Sequence, residues 1–289
     1  MSTRSDFRFF ERLRVRWAEV DLQQIVFNGH YLMYFDTAVA GWWRALALPY
    51  QTTMAALDGD LYVRKASLEY VGSARYDDLI DVGVKTARIG TSSMVLHCAV
   101  FRGDELLVSG ELVYVFANPA NAPVRTSQPV PQALRDVLLA FDAGQPMVHV
   151  RIGAWDALGR EAGAIRTQVF VDEQKIPAEL EWDAADALAL HAVAYNRFGV
   201  ALATGRLLAH EPGVSKIGRM AVTAAMRGSR IGRAVLDALM QAARARGDHQ
   251  VLLHAQSSAA VFYRRAGFEA VGAEFEEAGI RHLAMVKAL

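Results

Sequence analysis

The chain has 289 residues, 53% hydrophobic and 21% charged, a composition that excludes wholesale disorder and suggests about two domains. Lys+Arg and Asp+Glu balance at 31 each; up to Asp142 the count is 14 basic to 16 acidic, and beyond it 17 to 15. Neither part has the basic excess that phosphate-backbone binding needs, so nucleic acid is not an expected partner. Cys98 is the only cysteine, which excludes an internal disulfide and a cysteine zinc site and suits a reducing cytoplasm. The first sixteen residues are charged, without a signal-like apolar core, and no apolar run reaches the about 18 residues of a span. The expectation is a cytoplasmic protein without membrane contact.

In chain order, Leu13, Val15 and Trp17 alternate with Arg14 and Arg16, the period of a half-buried strand. Tyr31, Phe35, Ala38, Trp42 and Ala45 recur at three and four residues and predict a helix over 29–46. Strand-like runs follow at 61–71, 79–89, 93–102 and 105–117, the last two joined by a Gly103-Asp104 turn. One strand, a long helix and a meander of strands make an α+β pattern. Five of the eight prolines lie between 119 and 146, around an amphipathic helix at 132–142. The predicted domains are therefore 1–142 and 149–289, with a linker over 143–148.

The second part reads as helix at 156–170 and strands at 189–196, 200–209 and 214–223. A helix at 231–246, a strand at 250–255, a helix at 257–266 and closing strands follow. Strand, glycine-containing turn, helix and strand form a β-α-β arrangement, whose turn often faces phosphate.

Two places carry chemistry. Asp21 follows the first strand, and seven residues later comes Asn28, a candidate N-cap for the long helix. A carboxylate, as nucleophile or base, beside helix-start donors suits acyl transfer through an oxyanion. Glu19 and Asp36 read as solvated. The Trp42-Trp43 pair reads as core and dimer packing. In the second part, Arg227-Gly-Ser-Arg230-Ile-Gly232-Arg233 sits between a strand and a helix, where amide N–H groups and the helix dipole suit a pyrophosphate. The histidines make no i, i+4 pair with an acidic neighbour, so no metal is expected.

The motif Asp21-x-x-x-Ile-Val-Phe-Asn-x-x-Tyr31, the helix after it, Leu61 to Tyr70 and Ala74-Arg-Tyr-Asp-Asp78 resemble the hotdog-fold acyl-CoA thioesterases of the 4-hydroxybenzoyl-CoA thioesterase type. The resemblance implies a sheet wrapped around the long helix and active sites at a dimer interface. It places the catalytic carboxylate on Asp21 and the oxyanion donor at the backbone of His30 and Tyr31. It sets Val63, Arg64 and Lys65 near the thioester or CoA arm. The family usually has Gly where this chain has Gln24, which bears on the loop geometry.

Residues 150–289 resemble the GNAT acyl-CoA N-acetyltransferases. Arg227-Gly228-Ser-Arg230-Ile-Gly232 matches their acetyl-CoA motif except that Arg230 replaces a glycine. The resemblance implies that the backbone of Met220 to Val222 pairs with the pantetheine arm. It also implies that Tyr263, in Ala259-Ala-Val-Phe-Tyr-Arg-Arg-Ala-Gly267-Phe268, protonates the leaving thiolate. Val169 to Gln174 and Gly279 to Met285 look like one bacterial subgroup. Glu173, Glu181, His191 and His254 stay open as the general base.

The expected protein is a bifunctional acyl-CoA enzyme: thioester hydrolysis in the first domain, and acyl transfer from acetyl-CoA or a related acyl-CoA to an unknown amine in the second. No permanently bound cofactor is expected, and a homodimer or dimer of dimers is expected through the hotdog domain. Two alternatives are an N-acetyltransferase whose first domain only dimerises, and a non-catalytic acyl-CoA binder.

Overall fold

Alternating apolar residues over 79–117 build three long strands in the computed structural model, which describes residues 2–289. The chain forms two compact units, the first ending at Met147 and the second beginning at Val148. The first unit contains β1 (Phe9–Arg14), α1 (His30–Ala45), α2 (Tyr50–Ala56) and β2 (Asp60–Tyr70). After them come β3 (Leu79–Ile89), β4 (Ser93–Arg102), β5 (Glu105–Ala117) and α3 (Gln132–Asp142). Its antiparallel sheet runs β1-β3-β4-β5-β2, which leaves β2 at an edge. Helix α1 lies in the curl of this sheet with Phe35, Ala38 and Trp42 fully buried. Gly110 on β5 makes that approach possible, because a Cβ there would lie 2.8 Å from the Phe35 ring and 2.5 Å from the Ser67 carbonyl.

Three local expectations are corrected. The first strand is Phe9–Arg14, paired with β3, whereas Trp17 lies in a 3-10 turn over Trp17–Glu19. The turn forms because the Glu19 carboxylate accepts the Arg16 amide at 2.7 Å and pulls the chain out of the ladder. Asn28 is not the N-cap of α1. Gly29 is, already in helical backbone and without a side-chain cap, because the turn from Phe27 to His30 has begun the winding. Glu19 is buried rather than solvated. Helix α2 was not anticipated.

The second unit contains β6 (Val148–Gly153), also unanticipated, then α4 (Trp155–Arg166), α5 (Ala178–Glu181), β7 (Leu190–Asn196) and β8 (Ala201–Glu211). It continues through β9 (Val214–Val222), α6 (Ile231–Ala245), β10 (Gln250–Gln256), α7 (Ala260–Arg265), β11 (Glu269–Glu277) and β12 (Ile280–Ala288). The helical reading of 156–170 resolves into α4 followed by a π-helical stretch over Thr167–Glu173. The seven strands run β11-β12-β10-β9-β8-β7-β6, and only β9 and β10 are parallel. Val193 and Tyr195 of β7 pack with Leu158 and Ile165 of α4. Gly205 of β8, opposite Ala192, lies instead under Val235 and Leu239 of α6. Adjacent strand residues point to opposite faces, so α4 and α6 cover the two sides of the sheet.

Candidate functional sites

In the first unit, the loop from Asp21 to Asn28 closes on itself. The Asp21 side chain accepts the Gln23 amide at 2.7 Å, and the Asp21 carbonyl accepts the Gln24 amide at 2.9 Å. Gln24 has φ +62°, so the position where the resembled family uses Gly holds the left-handed backbone that Gly adopts freely. Asp21 is half-buried at the surface, and the adjacent Leu22 is fully exposed.

Two residues before Asp21, Glu19 has a different role. It accepts hydrogen bonds from the buried Tyr34 hydroxyl, the Arg16 amide and the Arg16 guanidinium, each at 2.7 Å. Burial raises its pKa, but these donors outweigh burial and hold the carboxyl below the usual carboxylate range. Glu19 is a structural post for the loop, not a reacting group.

At the helix start, the His30 amide donates to the Phe27 carbonyl at 2.9 Å, and the Tyr31 amide lies 3.4 Å from the Asn28 carbonyl. Tyr31 is buried, and its hydroxyl accepts the Ala74 amide at 2.9 Å. Burial raises the Tyr31 pKa, which keeps the phenol neutral. Tyr70 of β2 packs edge-on against Tyr31 and donates to the Asn28 carbonyl at 3.1 Å. Val63, Arg64 and Lys65 are exposed on the same strand around a bulge at Arg64. Lys65 is five residues from Tyr70 and Val63 is seven, about 17 to 23 Å along the strand. Within one protomer the structure therefore does not bring them to the Asp21 loop. Trp17, Phe27, Met33, Val63, Tyr70 and Val71 of this unit are large hydrophobic side chains that are each at least half exposed.

In the second unit, β9 and β10 pair only as far as Ile217 and Leu253. Beyond that register β9 runs on to Val222 and β10 to Gln256, and the two strands part. Arg219 has φ +52° beside a register shift in the β8–β9 ladder, which helps turn β9 away. A cavity of about 380 Å³ reaches this gap, lined by Met220, Tyr263, His254, Lys216 and Glu181 among others. Such a crevice at the carboxyl ends of parallel strands is a favoured ligand position in α/β sheets.

The turn after β9 leads into α6. Gly228 has φ +84° and Arg230 has φ +66°, immediately before the first helical residue, Ile231. Gly232 lies where a Cβ would come within 3.0 Å of Val222. Arg227 is exposed and forms a bidentate pair with Glu173, with Nη1–Oε1 2.5 Å and Nη2–Oε2 2.6 Å. That pair draws the Glu173 carboxyl below its ordinary pKa. Arg233 pairs with Asp237 one turn along α6, both contacts at 2.8 Å.

Tyr263 of α7 is buried between Phe262 and Phe268, and burial pushes its pKa up to about 12. It is a neutral donor at physiological pH. The four candidate bases separate clearly. His191 is fully buried against Trp155 and bonded to the Asp186 carbonyl, and burial lowers its pKa; it does not line the cavity. Glu173 belongs to the Arg227 pair. Glu181 lines the cavity, and burial raises its pKa despite Arg166, but one oxygen meets Arg166 at 2.5 Å and the other Arg219 at 3.4 Å. His254 lines the cavity with Nδ1 3.2 Å from Glu277 Oε2.

Sequence spacing did not show the pairing of Glu173 with Arg227, the His254–Glu277 pair or Lys216. These contacts join strands and loops 23 to 54 residues apart. Among the described residues, no helix is long and apolar enough to cross a membrane, and no group of His, Cys, Asp and Glu is placed to hold a metal ion.

Comparison with known proteins finds relatives for both units. The thioesterase superfamily matches residues 23–109, and the acetyltransferase (GNAT) domain matches residues 164–289. The chain is 34% identical to the uncharacterized N-acetyltransferase YjcF of Bacillus subtilis over 129 residues, 44% of this chain and 91% of that protein. It is 28% identical to a putative esterase of Aquifex aeolicus over 96 residues, 33% of this chain and 74% of the relative. A crystal structure of a putative N-acetyltransferase from Lactobacillus plantarum is similar at 29% identity and a TM-score of 0.47, covering 50% of this chain and 99% of that one.

Proposed function

The chain belongs to the GNAT acetyltransferases through residues 164–289 and carries a hotdog-fold thioesterase-superfamily domain at 23–109, and from that premise we propose that it hydrolyses an acyl-CoA in its first unit and acylates an amine in its second. The observation that carries the transferase reading is the shared cavity of Met220, His254 and Tyr263 where β9 and β10 part.

In the transfer, the backbone of Met220 to Val222 aligns the pantetheine arm, and the amides around Arg227, Gly228, Arg230, Gly232 and Arg233 receive the pyrophosphate. His254 is the base: Glu277 holds Nδ1, and Nε2 takes the proton of the attacking amine. The amine nitrogen bonds to the thioester carbonyl carbon, the C–S bond breaks, and Tyr263 gives its proton to the departing sulfur. Solvent then returns the proton to Tyr263.

In the hydrolysis, Asp21 acts as base toward water or as nucleophile, and the loosely held Tyr31 amide donates to the oxyanion. Val63, Arg64 and Lys65 reach this site from a second protomer, since their own strand keeps them about 17 to 23 Å from Tyr70. The apolar surface around Trp17, Phe27 and Met33 is the side that such a partner covers, giving a homodimer or a dimer of dimers. Gln24 holds the left-handed turn, so its presence gives no reason to read the loop as distorted.

The transferase reading is tested by N-acetylated product, detected by mass spectrometry with acetyl-CoA and an amine panel. Tyr263→Phe should lower kcat by about ten- to a hundredfold. Full activity in that variant would remove Tyr263 from the mechanism.

A further inference from the structure

Lys216 differs from the other permanent cations that line the transferase cavity. Arg206 meets Asp183 at 2.7 Å and Asp186 at 2.8 Å, and Arg219 meets Glu181 at 3.4 Å and Asp183 at 3.2 Å. With the fully buried Arg166, which holds Glu181 and Asp186, these residues make a closed set of three guanidinium groups and three carboxylates. Such a set is already satisfied and offers little net charge to a ligand. Lys216 has no carboxylate within 4 Å among the described residues. Its one polar neighbour is His254 Nδ1, at 3.5 Å.

We infer that Lys216 anchors a carboxylate of the amine acceptor, and that the acceptor is an apolar α-amino acid. The inference rests on the acyl-transfer reading and gives that site a substrate class. Two observations select it. First, Lys216 sits against the imidazole proposed as the base. A carboxylate on Nζ therefore brings an amine one carbon away to the same imidazole, where a distal amine would overshoot. Second, the same cavity is walled by Phe170, Ile176, Leu180, Leu208 and Ile280, which suit an uncharged side chain. A polyamine would bring its own positive charges against the Lys216 ammonium, which has no ion pair within 4 Å among the described residues. A plain alkylamine would leave that ammonium unpaired in a half-buried site. Sites built to pair with a polar group discriminate strongly against analogues that lack it.

The bond changes are those of the transfer already described. The α-nitrogen bonds to the acyl carbon, its proton passes to His254, and CoA leaves as the thiol with the proton of Tyr263.

The test uses the full chain, acetyl-CoA and matched acceptors: leucine, leucinamide and isopentylamine, then phenylalanine and phenethylamine, with spermidine for contrast. Product is read by mass spectrometry, so hydrolysis of the thioester does not enter. The expected result is at least a tenfold advantage in kcat/KM for each amino acid over its decarboxylated partner. Lys216→Met should erase that advantage mainly through KM, and Lys216→Arg should retain most of it. CoA affinity serves as the check that both variants are folded. Equal use of leucine and isopentylamine by the wild type, or an advantage that survives Lys216→Met, overturns the inference. If no amine is acetylated, the transfer reading fails, and the anchor is judged by binding to the CoA-saturated protein. Leucine binding that weakens at least tenfold in Lys216→Met upholds the carboxylate site. Absent leucine binding, or binding unchanged by the substitution, overturns it.

Discussion

Gln24 and Arg230 adopt the same left-handed backbone, φ +62° and +66°, each in a turn that leads into a helix. Each replaces a glycine of the family its domain resembles. The chain has kept the turn geometry and accepts the steric cost of a side chain there. Glycine removes that cost, partly offset by its greater freedom in the unfolded chain.

Gln24→Gly and Arg230→Gly should therefore each stabilise the protein by about 0.5–1 kcal/mol. Urea unfolding followed by circular dichroism gives the difference. Destabilisation in either variant would mean that the long side chain contributes more than its backbone costs.

Glu173→Gln should release Arg227 from its bidentate partner and remove a negative charge beside the pyrophosphate turn. Calorimetric titration with CoA should show binding about three- to tenfold tighter, a gain of about 1 kcal/mol. Unchanged or weaker binding would place the pyrophosphate away from Arg227.

Glu19→Ala should cost about 2–3 kcal/mol, because it leaves the buried Tyr34 hydroxyl and the Arg16 amide without their acceptor. Denaturant midpoints measure the loss. A variant as stable as the wild type would show that water replaces the carboxylate at no cost.

Tyr263 gives a pH dependence with a definite sign. Its phenol has an ordinary pKa of 10.0 and is pushed up to about 12 by burial in the fold. The unfolded chain thus loses this proton first, and the Tyr263 contribution to stability is intact below pH 10 and declines from there toward 12. Comparing urea unfolding of wild type and Tyr263→Phe at pH 9 and 11 should show a smaller alkaline loss in the variant. Equal losses would mean that the hydroxyl is not desolvated in the native state.

Much of the architecture was legible because it rests on periodicity. The strands at 79–89, 93–102 and 105–117 and the helix at 132–142 lie where the alternation and the helical stripe put them. The first strand was misplaced because Val15 and Trp17 continue its alternation while Glu19 captures the Arg16 amide and ends the ladder. For the same reason Glu19 and Asp21 look alike as text, and only burial separates a structural carboxylate from an accessible one. The transferase cavity was legible in part. Met220 and Tyr263 lie on it, but Lys216, His254 and Glu277 meet there only because β9, β10 and the β11–β12 hairpin converge. No local spacing encodes that convergence.

The central claim, two acyl-CoA sites with separate chemistry, is tested most directly by free-CoA release from a panel of aliphatic and aromatic acyl-CoAs without any amine. Wild type and Asp21→Asn are run side by side, with N-acetylated product measured separately for both. Release by the wild type should fall at least a hundredfold in Asp21→Asn, while amine acetylation is unchanged. Release that persists in Asp21→Asn, or no release by the wild type from any acyl-CoA, would contradict that claim.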